Sequence, residues 1–316
     1  YFADATQRRL SRTIYSATPA VVAADGAVLG VACESTRPSA AAPSPVELAR
    51  AQKNDSEEPR PKLQSTGESE PNPCPSGMRL VEGKHCPTVG HLCREFISAE
   101  RDRCKDYFPN SPCVGRATPK RYCIDEFEYP NTKGERPLVG VNFLQATALC
   151  KSLEKRLCSA SEWELACEGP ERLPYPNGYQ RDATICNFDR ATLDSNNDAY
   201  AKLETRQAEI ARVDQREASG ARPGCVSAYG VYDTTGNVDE WVVNEEGNFD
   251  KPPYRSALKG GYWGRVRNRC RPTTTDHNAW HSGYQVGFRC CADAAVAPDP
   301  AEQRIALLPT LAKSGE

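Results

Sequence analysis

Cysteine is the residue type with which this sequence could do the most chemistry. The chain of 316 residues has 15 cysteines, against one methionine and four histidines. Zinc sites use short paired spacings such as C-x2-C, whereas successive cysteines from Cys86 to Cys123 are separated by 7, 11, 9 and 10 residues. Fourteen cysteines lie from Cys74 to Cys291, an even number at a density typical of an oxidising compartment. These spacings predict disulfides rather than a metal centre but do not say which cysteines pair.

Two histidines have the other spacing that suggests a metal. His277 and His281 are four residues apart in DHNAWH, an interval that would align two ligands on a helix. Pro272 and three threonines precede them, and no third histidine is near in sequence. We therefore predict two exposed loop histidines.

Four arginines alternate along one segment, a spacing that would place them on one face of a strand. The net charge of −2, from 40 basic and 42 acidic residues, provides no field to gather nucleic acid or an anionic membrane. We expect these arginines to pair with acids or to line a groove. They are Arg265, Arg267, Arg269 and Arg271.

The elements that would position these residues form one folded region, predicted at 74–292. Apolar spacing over 140–156 indicates a helix capped by Asn142, and the capping box from Ser159 to Glu162 opens a second helix through Ala166. Strands are predicted at 121–129 and 231–232, and a charged, solvated helix at 201–217. Frequent Gly and Pro between them indicate an α+β, loop-rich domain.

The regions outside that domain have the composition of a signal, a linker and a tail. In residues 1–33, three arginines precede an apolar-leaning run that ends LGVAC at Cys33. This order is typical of an export signal, and LGVAC is close to a lipobox in which Cys33 would be lipidated; a disordered tail with a chance cysteine is the alternative. Residues 34–73 contain seven prolines and no aromatic residue, which predicts a disordered linker, and 293–316 is predicted to be a loose tail.

This organisation predicts an extracytoplasmic bacterial protein, in the periplasm, on the outer membrane or at the cell surface. No run of 18 apolar residues occurs, so a multi-span membrane protein is excluded. Membrane contact is expected only through the N-terminal anchor.

Four motifs in a fixed order resemble a known family. They are KRLCSASEWELACEG, which contains Trp163, then YGVYDTTGNVDEW, LKGGYW and VGFRCCAD. Their order and spacing resemble formylglycine-generating enzyme, the sulfatase-modifying factor family, which includes the C-terminal half of ergothioneine-type nonheme iron sulfoxide synthases. The resemblance covers about 76–292 and implies a variant of the C-type-lectin-like fold.

The resemblance also implies two disulfides and bound calcium. The family's cysteine positions match Cys150 with Cys290 and Cys167 with Cys270. Calcium takes oxygen ligands from carboxylates and backbone carbonyls, although a simple Gly-Asn turn with solvated acids is the alternative. The implied ligands are Asp233, Gly236, Val238 and Glu240 at one site, and Asn187 and Phe188, with Asp198 and Tyr200 as further candidates, at a second.

The reaction centre is where the sequence departs from the family. The enzyme holds copper with two thiolates, and a soft thiolate pair suits Cu(I). The corresponding segment here, GGYWGRVRNRC, has no cysteine before Cys270. Asp239, Tyr262 and Gln285 stand where the family has Trp, Ser and Asn, and Cys291 would reach the site only if a loop rearranged. The sulfoxide synthases use three histidines for iron, largely on a helical bundle that is absent here.

Two functions are therefore predicted from the sequence. The first is a binding or structural module without a catalytic residue, presenting a cleft near Tyr262, Trp263, Gln285 and Trp280 to an extracytoplasmic protein or glycan. The second is an oxygen-dependent metallo-oxidase whose ligands are not recognised, since neither copper nor iron has a recognised ligand set. Calcium is the expected cofactor.

Overall fold

Two four-stranded sheets with helices around them form the framework of the protein. The computed structural model describes residues 72–99, 103–191 and 193–295. Cys33, the predicted signal and the linker up to residue 71 lie outside the described residues, as does the tail from 296. The architecture is α+β, with short elements and long irregular connections.

The first sheet is antiparallel and has the order β1-β6-β12-β7. Its strands are β1 (Met78–His85), β6 (Thr118–Asp125), β12 (Cys290–Asp293) and β7 (Arg156–Leu157). β6 ends at Asp125, so the strand predicted at 121–129 is correct in its first half and shifted toward the N-terminus.

The second sheet has the order β10-β9-β8-β11. It consists of β8 (Asp239–Val243), β9 (Ser256–Lys259), β10 (Thr273–Thr274) and β11 (Val286–Phe288). β8 and β11 run parallel, with Val286 opposite Asp239, whereas the other pairs are antiparallel. This pairing brings the residues before the GFR motif beside the start of the DEW strand.

Two small two-stranded sheets lie between β1 and β6 in the chain. β2 (Thr88–Val89) pairs with β5 (Cys113–Val114), and β3 (Cys93–Ser98) pairs with β4 (Arg103–Tyr107). Both are antiparallel. β4 places Arg103 within hydrogen-bonding distance of Asp189, which is 86 residues later in the chain.

The two helices predicted from their caps are present. α1 (Phe143–Ser152) begins after Asn142, and α2 (Ala160–Glu168) begins after Ser159. In both, the cap side chain accepts a bond from the third helical residue, Gln145 or Glu162, whose own side chain bonds back to the cap. Satisfying these otherwise unpaired N–H groups explains why both helices begin where they do.

The predicted helix at 201–217 consists of two shorter helices. These are α3 (Asn197–Ala201) and α4 (Leu203–Val213). Glu209, Ile210 and Val213 are buried, so one side of α4 packs against the domain. The prediction of a solvated helix is therefore wrong for this side.

The core is built around the two sheets and three buried tryptophans. Trp163 of α2 packs with Val81, Tyr122, Ile124 and Val242. Trp241 belongs to a second cluster with Leu157, Leu258, Val286 and Phe288. Trp163, Trp241 and Trp263 are each at most 1 % exposed, and burial of large aromatic side chains is a major source of stability.

Seven disulfides link the described residues. Both pairs implied by the resemblance, Cys150–Cys290 and Cys167–Cys270, are present. The other five are Cys74–Cys123, Cys86–Cys113, Cys93–Cys104, Cys158–Cys291 and Cys186–Cys225. The adjacent residues Cys290 and Cys291 therefore bond to different partners, one on α1 and one just before α2.

Two expectations about strands are wrong. Tyr232 forms only an isolated bridge with Val226, because the chain turns at once into the 233–238 loop. The segment from Arg265 to Arg271 is not a strand. Backbone and side-chain bonds hold it as an irregular loop, as described below.

Candidate functional site

A cleft of about 530 Å³ opens where the family's copper-binding segment would lie. The walls come from β4, β8, β9, β10 and the loop after Gly261. The lining residues are Arg103, Asp239, Leu258, Gly260, Gly261, Arg265, Val266, Arg267, Pro272 and Thr274. Clefts of this volume suit small ligands.

The Gly260-Gly261 turn shapes one wall of the cleft. Both residues have left-handed backbone angles, with φ of 86° and 70°. A Cβ on Gly261 would lie 2.7 Å from Nδ2 of Asn268, and one on Gly260 would lie 2.7 Å from the carbonyl oxygen of Thr234. Only glycine fits both the backbone angles and these approaches.

Asp239 and Gln285, two of the departures from the family, meet at the cleft. The Asp239 amide donates to the Gln285 carbonyl at 3.0 Å, and its carboxylate accepts from the Gly261 amide. Burial, with a contribution from the charge of Glu240, raises the pKa of Asp239 to about 7, against the opposing charge of Arg267. Asp239 therefore carries only part of its negative charge near neutral pH.

None of the three aromatic residues expected at the cleft is among its described lining residues. Tyr262 is partly exposed, and burial, Tyr284 and the charge of Asp239 raise its pKa to about 12. Trp263 is 1 % exposed, so the expectation that its ring forms a ligand surface is wrong: it packs against Tyr262 and Tyr284. Trp280 is 73 % exposed and does not line this cleft.

An arginine network lies next to the cleft and includes one of its lining residues, Arg103. Arg181 donates two bonds to the Asp189 carboxylate, at 2.8 and 2.9 Å, and Arg103 donates a third to the same group at 2.6 Å. Arg181 also donates to the carbonyls of Val266 and Asn268. The Asp189 carboxylate thus accepts hydrogen bonds from two guanidinium groups. The bonds from Arg181 to the backbone carbonyls hold the loop that carries Arg265 and Arg267 in place.

The four alternating arginines have two different environments. Arg271 forms a close bidentate pair with Glu168 and contacts Glu164, while Arg269 lies over the ring of Tyr107 at 5.7 Å. Arg265 and Arg267 are exposed and line the cleft. Both expected outcomes, pairing with acids and lining a groove, therefore occur.

The first predicted calcium set lies beneath the cleft, around a buried guanidinium. Arg289 donates to both oxygens of Glu240 at 2.7 Å, and the indole N–H of Trp163 donates to one of them at 2.8 Å. Asp233 accepts from the Gly220 amide at 2.7 Å, and Gly236 donates to the Gly260 carbonyl. Val238 is buried. In this arrangement both oxygens of Glu240 already accept hydrogen bonds from nitrogen donors.

The second predicted set is also bonded within the protein. The side-chain oxygen of Asn187 accepts from Arg190 at 2.5 Å, and its Nδ2 donates to Asn237. Phe188 is buried under Arg181, while Asp198 is exposed on α3 and the Tyr200 carbonyl accepts from Arg206. Among the described residues, no group of three or more His, Cys, Asp or Glu side chains is placed to hold a metal ion. Calcium stays a prediction.

The remaining sulfur and imidazole groups do not converge on the cleft. All fourteen cysteines from Cys74 to Cys291 are in the seven disulfides, including Cys270 and Cys291. His277 and His281 lie in a loop, as predicted, but both are half-buried and not exposed, with their rings stacked 3.9 Å apart.

Arg103, Arg181 and Asp189 were missed by sequence reasoning. No motif contains them, and Arg103 is 86 residues from Asp189 in the chain. Only the three-dimensional pairing of the β3–β4 hairpin with the 181–189 loop brings them together. The one usable signal was the alternating arginine segment, which pointed to a groove.

Comparison with known proteins identifies the family. The family described as "Sulfatase-modifying factor enzyme 1-like domain" matches residues 94–294, more than half of the chain. The protein belongs to this family. The α+β, loop-rich, disulfide-linked fold of this sulfatase-modifying factor domain is the one that the resemblance implied.

Two curated proteins are similar to this sulfatase-modifying factor domain. "Inactive C-alpha-formylglycine-generating enzyme 2" of Bos taurus is 28 % identical over 181 residues, which cover 52 % of this chain and 53 % of the bovine protein. "Serine/threonine-protein kinase pkn1" of Chlamydia caviae is 26 % identical over 174 residues, covering 49 % of this chain and 24 % of the kinase. The chain thus spans about half and about a quarter of these relatives.

Solved structures with related shape include two bacterial proteins. "Treponema denticola variable protein 1" and PvdO from Pseudomonas aeruginosa are 15 % and 16 % identical to this chain. Each alignment covers 68 % of this chain and 94 % of the other, with a TM-score of 0.43.

Proposed function

We propose that this sulfatase-modifying factor domain is an extracytoplasmic binding module that does not carry out formylglycine chemistry. One observation carries the proposal: the described lining of the cleft at the family's reaction position has arginines and an aspartate but no cysteine, and the two cysteines that the sequence brings into question there are oxidised. Cys270 is bonded to Cys167 and Cys291 to Cys158. A disulfide sulfur is not the thiolate that binds copper.

The location outside the cytoplasm is part of the same proposal. Seven disulfides support it, since such bridges form and persist in oxidising compartments. Within the described residues, no helix has the length and apolar character needed to span a bilayer. The bovine relative, whose name includes "inactive", is in keeping with a family member that has lost the reaction.

The ligand is expected to enter the cleft beside Gly261. The source of the ligand predicted from the sequence is an extracytoplasmic protein or glycan. Asp239 lines the cleft where the family has a tryptophan, so the surface offered to a ligand differs from that of the enzyme; Tyr262 and Gln285 are not among the lining residues. Calcium, if bound, would support the 233–240 loop structurally and has no part in a redox step.

The test combines a peptide assay with metal analysis. A cysteine-containing sulfatase peptide is incubated with the protein, copper, a reductant and oxygen, and its mass is measured. A formylglycine-generating enzyme with both copper-binding cysteines serves as the positive control. We expect no conversion and no stoichiometric copper or iron in the purified protein; conversion, or a copper site lost in Cys291→Ser, would instead support the metallo-oxidase.

A further inference from the structure

The geometry points to a binding site for a small acid in the cleft, with Arg103, Arg265 and Arg267 contacting its carboxylate, sulfate or phosphate group. This inference rests on the proposed function, because it names the ligand class of the same cleft. It depends on charge, on an unused hydrogen-bond donor and on the rigidity of the loop.

Positive charge in the cleft exceeds negative charge. Arg103 shares the single carboxylate of Asp189 with Arg181, so this pair of guanidinium groups keeps a net positive charge. Arg265 and Arg267 add two more, and neither has an ion pair with a carboxylate among the described residues. Asp239 is the one acid among the described residues that line the cleft, against three arginines.

This local excess differs from the charge of the chain as a whole. The full chain has a net charge of −2, so the positive charge of the cleft is a local property and does not follow from the total charge of the protein. A concave site lined by one sign of charge concentrates ligands of the opposite sign.

Arg103 has a donor that nothing in the described part of the chain uses. Its Nε is buried and has no hydrogen-bond partner among those residues, although its terminal nitrogen binds Asp189. Buried polar groups in native proteins are normally satisfied, and an unsatisfied N–H on a charged group is costly. Arg103 also lines the cleft, so a change of its side-chain rotamer on ligand binding would let an oxyanion there supply the missing acceptor.

The loop that carries Arg265 and Arg267 is held in place before any ligand binds. Arg181 bonds the carbonyls of Val266 and Asn268 at 3.0 and 3.2 Å, and the Asn268 side chain bonds back to the Tyr262 carbonyl. Because these bonds fix the backbone, only the two exposed side chains must be ordered on binding, which reduces the entropy cost.

The shape and chemistry of the cleft indicate the class of ligand. The planar guanidinium group matches carboxylate, sulfate and phosphate with paired hydrogen bonds. A volume of about 530 Å³ fits a small molecule, and Leu258, Val266 and Pro272 offer it an apolar wall. We therefore assign the site to a small organic acid or ester.

Isothermal titration of the full chain at low ionic strength tests this assignment. The probes are succinate, sulfate and inorganic phosphate, which separate the three oxyanions, with glycerol as the uncharged control. We expect at least one oxyanion to bind with one-to-one stoichiometry. Arg267→Gln and Arg265→Gln should each weaken it tenfold or more, whereas Arg136→Gln, an exposed arginine that does not line the cleft, should leave it unchanged.

Two results would overturn the inference. One is the absence of binding by all three probes. The other is equal weakening by Arg136→Gln and Arg267→Gln, since this would show general attraction to surface charge. Retained melting temperatures show that Arg265→Gln and Arg267→Gln fold. A negative titration leaves the peptide and metal assays unaffected, so this inference can fail while the proposed function stands.

Discussion

Three carboxylates surround one buried guanidinium, that of Arg289. Two of them, Asp233 and Glu240, belong to the 233–240 segment, and the third is Glu128. Glu128 and Glu240 are fully buried and Asp233 is 5 % exposed, as is appropriate around the fully buried Arg289. Asn237 donates to both oxygens of Glu128, at 3.1 and 2.9 Å. With all three acids ionised, one arginine would leave buried negative charge uncompensated, and such charge is normally removed by protonation or by a bound cation.

The electrostatics of this cluster follow from burial. Burial and the charges of Asp233 and Glu240 raise the pKa of Glu128 well above its usual value. Burial also raises the pKa of Asp233 to about 6, although the Gly220 amide and Arg289 oppose the rise. A raised carboxyl pKa means that ionising Asp233 costs folding free energy.

We expect Asp233 to make the protein more stable as the pH falls from 7 to 5. The contribution is fully present below the unfolded pKa near 4 and is lost as the pH rises through about 6, with a total change of roughly 3 kcal/mol from a shift of about two pKa units. Urea denaturation of the wild type and Asp233→Asn, both in chelator, measures it. The wild type should gain relative to the variant on acidification; a constant difference would contradict the raised pKa.

Calcium makes a distinct prediction at the same residue. Metal ligands must be deprotonated, so calcium should raise the melting temperature at pH 7.5 and have little effect at pH 5. Asp233→Asn should remove the shift, because a ligand stabilises only the state that binds it. Melting curves in calcium and in chelator decide the matter: identical curves at both pH values would show that Arg289 and protons alone neutralise the cluster.

At the scale of elements, α2 connects the two sheets through charged side chains. Glu164 contacts Nε2 of His85 on β1 at 2.7 Å, a terminal nitrogen of Arg271 at 3.2 Å, and Lys259 on β9. The charges of Lys259 and Arg271 and the hydrogen bond with His85 lower the pKa of Glu164 to about 2 in spite of its burial. Burial lowers the pKa of Lys259 although Glu164 opposes this, so each partner needs the other to stay charged.

Replacing Glu164 should therefore destabilise the protein more than a surface change. Glu164→Gln leaves Lys259 and Arg271 without their common carboxylate, and breaking such a buried pair costs about 3–5 kcal/mol. Glu171→Gln is the matched control, because Glu171 is exposed just after the same helix and should change stability by less than about 0.5 kcal/mol. Urea denaturation near pH 7 compares them.

The acid titration provides a second check on the same element. With a pKa of about 2 in the folded state, the Glu164 contribution is present above the unfolded pKa near 4.3 and is lost as the pH falls toward 2. Wild type and Glu164→Gln should therefore converge in stability at low pH. Equal stability already at pH 7 would show that the network is not stabilising.

Local signals explain why some of these elements could be predicted and others could not. Asn142 and Ser159 form caps with residues three positions away, so a stretch of four residues is enough to predict where α1 and α2 begin. The cleft depends instead on contacts such as Arg103 with Asp189 and Asp239 with Gln285. No periodicity or motif encodes pairs so far apart, and the short strands that bring them together are too brief to predict.

At the scale of the whole molecule, disulfides compensate for the small amount of regular structure. Cys150–Cys290 joins α1 to β12 across 140 residues, and Cys158–Cys291 joins the start of α2 to the same strand across 133. Cys93–Cys104 only ties the two strands of one hairpin together across 11 residues. The long bridges hold distant parts of the chain together, whereas the short one acts within a single element.

Removing the long bridge should therefore cost more stability than removing the short one. Chain entropy gives about 5 kcal/mol for a loop of 140 residues and about 3 kcal/mol for one of 11, with separations taken from the structure. Cys150 and Cys290 are also fully buried, so Cys150→Ala with Cys290→Ala adds the cost of a cavity. The matched control is Cys93→Ala with Cys104→Ala.

Urea denaturation of the two double variants without reductant measures the difference, and peptide mapping confirms that the other six bridges remain intact. We expect the free energy of unfolding to fall by at least about 2 kcal/mol more for Cys150→Ala with Cys290→Ala than for the hairpin variant. The longer loop restricts the unfolded chain more, and the cavity adds to the difference. A smaller loss for the long bridge would mean that the remaining cross-links, above all Cys158–Cys291, already impose the same restriction on the unfolded state. In that case the adjacent pair at 290 and 291 would act as one connection between β12 and the helices, and only removal of both bridges would release it.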